Sequence, residues 1–148
     1  MIKGNIQLKG HINIKLFDEN SQLKQEIDKD NVVVTVGKNY LAAWLAAASQ
    51  AGPFMQYIAL GTGTTPANSS DTTLETELTT RVAGTISNST NVWQNQATFG
   101  PGVNTGAITE SGLFSDSSGG TLLARQVFAV VNKAAGDTIV FTWQITLS

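Results

Sequence analysis

Cysteine is absent from the sequence, and this absence excludes thiol catalysis, disulfide bonds and thiolate zinc sites together. Because secreted monomers often depend on disulfides, we expect folding in a cytosol and robustness gained through assembly. Long apolar runs are also missing. Residues 1–5 contain no apolar core of a signal peptide, and no run reaches the length of a membrane span. We therefore expect neither export by a signal peptide nor a membrane partner.

Charge is the third scarce property. Only 14% of the 148 residues are charged, against roughly 25% in typical soluble domains. The nine Lys and Arg residues are scattered and the net charge is −2, which argues against a nucleic-acid partner. A surface of Ser, Thr, Asn, Gln and Gly costs little to desolvate and suits protein–protein contacts. The same composition is also ordinary for β-proteins, and both interpretations stay open.

Three short patterns resemble chemical sites but lack an essential part. The Gly61-Thr62-Gly63 turn has Pro66 where a dinucleotide-binding loop needs glycine, and no lysine follows to form a P-loop. Asp28 and Asp30 begin a calcium-loop pattern that lacks its glycine and its final glutamate. His11 is the only histidine, so a site with several histidines is excluded. We interpret these residues as turn and surface residues, and we expect no metal and no cofactor.

Alternation of apolar and polar residues predicts strands at the start of the chain. Residues 5–16 place Ile6, Leu8 and Ile12 on one face and polar residues on the other, a period of two typical of a half-buried strand. Residues 23–27 would return as a second strand, and the β-branched residues 31–35 as a third. Residues 1–36 are therefore predicted to form N-terminal strands with a hairpin.

One helix is predicted, over residues 38–51. Gly37 interrupts the strand pattern, and the apolar residues that follow have helical spacing. Gly52-Pro53 would end the helix, and Trp44 would anchor it in the core. The residues with this spacing are Tyr40, Leu41, Trp44, Leu45 and Ala48.

The remainder, residues 55–148, is predicted to be a β-rich body. Residues 73–78 alone suggest one helical turn. Short strands at close spacing with Gly, Asn, Ser and Pro between them predict an antiparallel β-sandwich or jelly-roll-like fold. We expect one mainly β domain over residues 1–148 with a single helix. The predicted strands of the body are 55–60, 82–88, 92–99, 106–114, 121–130 and 138–147.

Glu110 is the most informative acidic residue. In the predicted strand 106–114 it shares a face with Ile108 and Phe114. On an inner face, its carboxylate requires a charged or hydrogen-bonding partner. Arg125 and Arg81 are the candidates, and we predict a structural ion pair between strands rather than a catalytic acid.

Several segments of the chain resemble small structural proteins of tailed bacteriophage particles. The element Glu110-Ser111-Gly112-Leu113-Phe114 is also similar to one in the particle-facing domains of phage tail fibres. The resemblance implies a virion location, assembled in the host cytoplasm, and it implies no active site. It is carried by residues 31–39, 58–65, 71–78 with Arg81, 106–114, 120–128, 131–133 and 137–143.

Three functions are compatible with these observations. The first is a capsid decoration, or cement, protein that binds the major capsid protein, with copies expected in homotrimers; a length of 148 residues, without a fibre shaft, favours it. The second is a tail component, such as a fibre adaptor or tail-tip protein. The third is a carbohydrate-binding module with Trp93 stacking on sugars, although Trp93 is better explained as a core residue. Partner contacts are predicted on the lysine-bearing segment 1–30, through Lys3, Lys9, Lys15, Lys24 and Lys29.

Overall fold

The computed structural model describes residues 6–50 and 52–148, and these form antiparallel strands with one short helix. The prediction of a mainly β fold with a single helix is confirmed. The helix, α1, is Thr35–Ala46. The strands are β1 (Leu8–Phe17), β2 (Leu23–Val33), β3 (Tyr57–Gly61), β4 (Val82–Ala83), β5 (Thr85–Ser89), β6 (Val92–Phe99), β7 (Gly106–Phe114), β8 (Leu122–Lys133) and β9 (Thr138–Leu147).

The strands join in one continuous sheet with the order β4-β3-β7-β8-β2-β1-β9-β6-β5. This sheet folds over into two layers that share a core. The first layer contains β1, β9, β6 and β5, and the second contains β8, β7, β3 and β4. Strand β2 belongs to both, since most of it pairs with β1 while Val32 and Val33 pair with β8. At the opposite side the chain passes from β4 to β5 through Gly84, so the arrangement is nearly closed.

The core lies between the two layers and is built by the alternating residues of their strands. In β9, Phe141 and Trp143 are fully buried, as is Ile12 in β1. Burial of each such side chain contributes about 1.5–3 kcal/mol. The indole Nε1 of Trp143 donates a hydrogen bond to Ser111 Oγ of β7 over 3.3 Å. This polar contact therefore links the two layers inside a largely apolar core.

The helix is displaced from its predicted position. It begins at Thr35 rather than at residue 38. It ends at Ala46, so the prediction that the helix continues over residues 47–50 is wrong; residue 51, its predicted end, lies outside the described residues. Gly37 does not interrupt the helix but lies in its first turn and is buried. A Cβ at Gly37 would lie 2.5 Å from Leu123 Cα, so glycine is required for α1 to pack closely on β8. The close contact with β8, and not a turn of the chain, is the reason that residue 37 is glycine.

Other predicted boundaries differ for local reasons. Residues 73–78 form bends and no helical turn, with one isolated bridge from Glu77 to Gly61. Strand β3 starts at Tyr57 rather than at residue 55, because Met55 has a left-handed backbone with φ of 51°. The predicted strand 82–88 is divided at Gly84, where the chain changes layer.

Candidate functional site

The loop between β3 and β4 folds over the outer face of β7 and β8, and the Glu110 carboxylate holds it there. Glu110 is fully buried. Its Oε1 accepts hydrogen bonds from the backbone N–H groups of Gly63 at 3.0 Å and Thr76 at 2.7 Å. Its Oε2 accepts from the backbone N–H of Glu75 at 3.1 Å. One side chain of β7 thus binds both ends of the loop.

Arg125 of β8 completes the arrangement, which we call the loop lock: Glu110, Arg125 and the loop groups they bind. Arg125 Nε donates to Glu110 Oε2 at 2.9 Å. Its Nη1 donates to Asp71 Oδ2 at 2.9 Å and its Nη2 to the Thr65 carbonyl at 3.0 Å. Burial lowers the pKa of Arg125, but the hydrogen bonds to Asp71 and Glu110 outweigh it and the net shift is upward. The guanidinium therefore stays charged.

Glu75 supports the same loop from its solvent side. Its Oε2 accepts the backbone N–H of Thr65 at 2.8 Å, and this hydrogen bond lowers the pKa of the Glu75 carboxyl. Its Oε2 also lies 3.7 Å from Arg125 Nη2. The three acidic residues Asp71, Glu75 and Glu110 thus surround the Arg125 guanidinium. Their role is to fix residues 62–77 against the sheet.

The glycines of the Gly61-Thr62-Gly63 turn make room for the Glu110 carboxylate. A Cβ at Gly61 would lie 2.5 Å from Glu110 Oε1, and a Cβ at Gly63 would lie 2.6 Å from the same atom. Backbone N–H groups in glycine-rich turns are common binding places for anions. Here the anion is the protein's own carboxylate. The Gly63 backbone N–H of this turn therefore binds a carboxylate oxygen of the same protein, in the way that a glycine-rich loop binds a phosphate.

The Glu110–Phe114 element contributes to the lock with alternate residues. A Cβ at Gly112 would lie 2.8 Å from Leu74 Cδ2, so this glycine makes space for the apolar side chain of the loop. The Phe114 ring lies 3.6 Å beneath the Arg81 guanidinium carbon, a cation–π contact. Leu113 faces the other way, into the core between the layers. The whole element therefore serves loop attachment on one face and core packing on the other.

The predicted face of Glu110 is partly wrong. Glu110 shares a face with Phe114 but not with Ile108, because the β7–β8 pairing shifts register between Ile108 and Glu110. Such a bulge moves the following residues to the opposite face. Ile108 faces the main core, whereas Phe114 belongs to a second apolar cluster with Leu74 and Leu122. Glu110 is buried beneath the loop, not between the sheets.

Arg81 and Arg125 have different partners. The structure brings Glu110 and Arg125 together, whereas Arg81 binds Glu77, with Nε to Oε1 at 2.5 Å. Arg81 also donates to the carbonyl groups of Asp116 at 2.8 Å and Gly119 at 2.7 Å. Arg81 therefore holds the C-terminal end of the β3–β4 loop against the turn between β7 and β8.

The lysines proposed as partner contacts do not form one basic face. Lys9 and Lys15 are on the outer face of β1. Lys24 Nζ binds Asp137 Oδ2 at 2.8 Å, a contact that lowers the pKa of that carboxyl. Lys29 donates to the Val127 carbonyl at 2.8 Å. Lys3 lies outside the described residues.

His11 lies between two aspartates of the neighbouring strand. Its Nε2 is 2.7 Å from Asp28 Oδ1 and its Nδ1 is 3.1 Å from Asp30 Oδ1. Partial burial lowers the pKa of His11, but the hydrogen bonds to Asp30 and Asp28 outweigh this, and the pKa is raised. The described residues contain no group of three acidic or histidine side chains arranged to hold a metal ion. The triplet is thus a cross-strand ionic contact.

A largely apolar groove lies between α1 and the ends of β1, β6 and β9. Trp93 is half-buried on its wall, and its ring makes an edge contact with Phe54 at 5.9 Å. Trp44 of α1 packs on the other side of Phe54 at 5.4 Å. Trp93 is therefore part of an aromatic cluster that packs against the edge of the core. The residues that line the groove are Leu8, Leu41, Trp44, Gly52, Pro53, Phe54, Ile86, Trp93, Ile145 and Leu147.

Asn95 holds the segment before β3 in place, and the sequence analysis did not single it out. It is fully buried on the inner face of β6, and its Nδ2 donates to the carbonyl groups of Met55 and Gln56, both at 2.9 Å. These bonds fix the segment that presents Phe54 to the groove. The sequence did indicate that Asn95 is buried, because in the alternation of β6 it occupies an inward-facing position between Trp93 and Ala97.

No protein-family model matches the chain, and no curated protein and no solved structure matches it. No helix among the described residues has the length and apolarity that crossing a membrane requires.

Proposed function

We propose that the protein is a structural component of a tailed-phage virion, and specifically a capsid decoration protein that stabilises the head shell. The observation that carries this proposal is the loop lock. Glu110, the charged residue of the Glu110–Phe114 element, binds the protein's own loop, and this element is one of the segments that resemble phage structural proteins. Glu110 accepts three backbone N–H groups and an arginine. The element therefore builds a rigid surface for other proteins.

The proposed mechanism is interfacial. Each copy buries apolar and short polar groups against neighbouring virion proteins, and many weak contacts add through multivalency. A rigid loop favours this use, because a surface that is already ordered loses less conformational entropy on binding. Packaged DNA presses outward on the shell, and copies that bridge capsid subunits oppose the opening of the seams between them.

Two outward-facing lysines remain proposed contacts to the capsid. Lys9 and Lys15 project from the outer face of β1, beside Glu26, Asp28 and Asp30 of β2. A partner with alternating charge would fit this mixed face, and such contacts contribute more to orientation than to affinity.

The experiment compares phage particles with and without the protein. Particles that lack it should release their genome at a lower temperature and after a milder osmotic shock. Restoring the purified protein should return the original threshold, while heat-unfolded protein serves as the control. Equal robustness of both particles contradicts a decoration role.

A tail component is the second candidate, favoured by the same Glu110–Phe114 element, since it is similar to one in fibre attachment domains. Copy number and position separate the two. Labelling on the capsid lattice in electron micrographs supports decoration, whereas labelling confined to the tail supports a fibre adaptor or tail-tip protein.

A further inference from the structure

Exposed apolar side chains are concentrated at the end of the molecule where α1 lies. Among the described residues, Ile6 is 80% exposed, Leu45 66% and Leu147 39%. All three line a cavity of about 650 Å³ that adjoins the apolar groove, whose own volume is about 450 Å³. The outer alanines of α1 are also exposed. We call this combined surface the helix-end face.

The helix-end face is almost free of charge, and this follows from the sequence. No charged residue occurs between Lys38 and Asp71, between Arg81 and Glu110, or after Asp137. Helix α1 after its first turn, β5, β6 and β9 all come from these segments. Lys38 is the one charged residue among the described residues that line the groove and its adjoining cavity.

The edge of the first layer continues this uncharged surface. β5 is the terminal strand of the sheet, and its residues Thr85–Ser89 contain neither charge nor proline. Proteins usually protect exposed edge strands with lysine, proline or a bulge. Ile86 of β5 also lines the apolar groove. An unprotected edge beside an apolar groove has the character of a surface that is covered in an assembly.

We propose that the helix-end face is the contact between copies of this chain. A charged partner surface would lose its hydration against a face whose one charged lining residue is Lys38, which is costly. The occupant must therefore present an equally uncharged, apolar surface over the same extent. The chain itself has such a surface in the helix-end face, whereas the β1–β2 hairpin carries alternating charges. Association of identical subunits is also the commonest form of assembly.

The inference concerns the purified protein alone and does not rest on the proposed virion role. Leu45 is the test position, because it is exposed on α1 and its replacement removes no core contact. Leu23, 52% exposed on β2, offers a matched position on the charged hairpin. Leu45→Glu places a carboxylate in the proposed contact, and Leu23→Glu places the same carboxylate outside it.

The experiment is sedimentation velocity over a concentration series, with circular dichroism to verify that each variant is folded. We expect the unmodified protein to be a dimer or trimer with a dissociation constant in about the micromolar range or tighter. Leu45→Glu should weaken association at least about tenfold, while Leu23→Glu should leave it unchanged. Ser87→Lys, which adds the charge that β5 lacks, should also weaken it.

Two results would overturn the inference. The first is an unmodified protein that is monomeric throughout the series. The second is equal weakening by Leu23→Glu and Leu45→Glu. Neither result bears on the genome-release experiment, so failure here is distinguishable from failure of the decoration role.

Discussion

Arg125 reaches Glu110 diagonally across the β7–β8 pair. In the register of these strands, Glu110 lies opposite Val127 and Arg125 lies opposite Gly112, yet Arg125 Nε and Glu110 Oε2 are 2.9 Å apart. The glycine opposite Arg125 leaves the space above it to Leu74 of the loop. The ion pair therefore joins three segments: two strands that are adjacent in the sheet and a loop that passes over them.

Removing the charge of Glu110 should destabilise the protein strongly. Glu110→Gln leaves Arg125 buried with a weaker partner, and breaking a buried ion pair costs about 3 kcal/mol or more. The free energy of unfolding, measured by urea denaturation followed by tryptophan fluorescence, should fall by about this amount. Glu19→Gln, at an exposed residue, is the control and should change it by less than about 0.5 kcal/mol. Equal effects of the two substitutions would refute the structural importance of the lock.

Adding one methyl group to the glycine turn should displace the Glu110 carboxylate. A Cβ at Gly63 would lie 2.6 Å from Glu110 Oε1 and 2.5 Å from Glu75 Cβ, so Gly63→Ala should cost about 1–3 kcal/mol through overpacking. Gly100→Ala is the matched control, since a Cβ at Gly100 would meet no atom within 4 Å. Thermal unfolding of the two variants provides the comparison. A Gly63→Ala melting temperature equal to that of Gly100→Ala would contradict the proposed close contact.

Loss of the hydroxyl between the two layers should also be measurable. Ser111 Oγ donates to the Ala59 carbonyl at 2.9 Å and accepts from Trp143 Nε1 at 3.3 Å. Ser111→Ala removes both hydrogen bonds and leaves the buried indole N–H of Trp143 without this acceptor, which costs about 1–3 kcal/mol. Chemical denaturation should reveal the loss, and Ser87→Ala on the exposed edge should show almost none. If the two alanine variants unfold at the same urea concentration, the interlayer bond contributes nothing.

The contact of His11 with Asp28 and Asp30 makes part of the stability dependent on pH. The pKa of His11 is raised in the folded protein, so its contribution is fully present below the ordinary histidine pKa of about 6.5. It is lost as the pH rises through the higher folded-state pKa. The pKa of Asp28 is lowered by the hydrogen bond from His11, so this carboxylate stays ionised across the range. The difference in melting temperature between the unmodified protein and His11→Gln should therefore be larger at about pH 5.5 than at about pH 8.5. A difference independent of pH, or one that grows toward alkaline pH, would contradict this assignment.

The strands were predictable where alternation was uninterrupted. Residues 92–99, 106–114 and 138–147 have the bounds predicted from the sequence, because one buried face imposes a period of two. The irregularity in the β7–β8 pairing left a trace as well. Ile108 and Leu113 both face the core although they are an odd number of residues apart, which an uninterrupted period of two does not allow.

The helix and the loop lock depended on contacts that the sequence does not display. In the sequence, Gly37 has the character of a helix breaker, whereas in the structure it is required because Leu123 lies directly against it. The sequence predicted a partner for Glu110 but left Arg125 and Arg81 as alternatives. It contained no indication that Gly63, Glu75 and Thr76 would supply backbone donors, since any residue except proline carries the same N–H group.

The place of β9 in the sheet has a consequence for biosynthesis. β9 lies between β1 and β6, pairing Leu8 with Leu147 on one side and Phe99 with Ile139 on the other. During translation, therefore, the first layer has a gap in its middle until residues 138–147 have left the ribosome. Such long-range pairing is slow, and nascent chains with unpaired strands are prone to aggregate. The first layer therefore cannot be completed before residues 138–147 are made, and β1 and β6 expose open edges until β9 pairs with them.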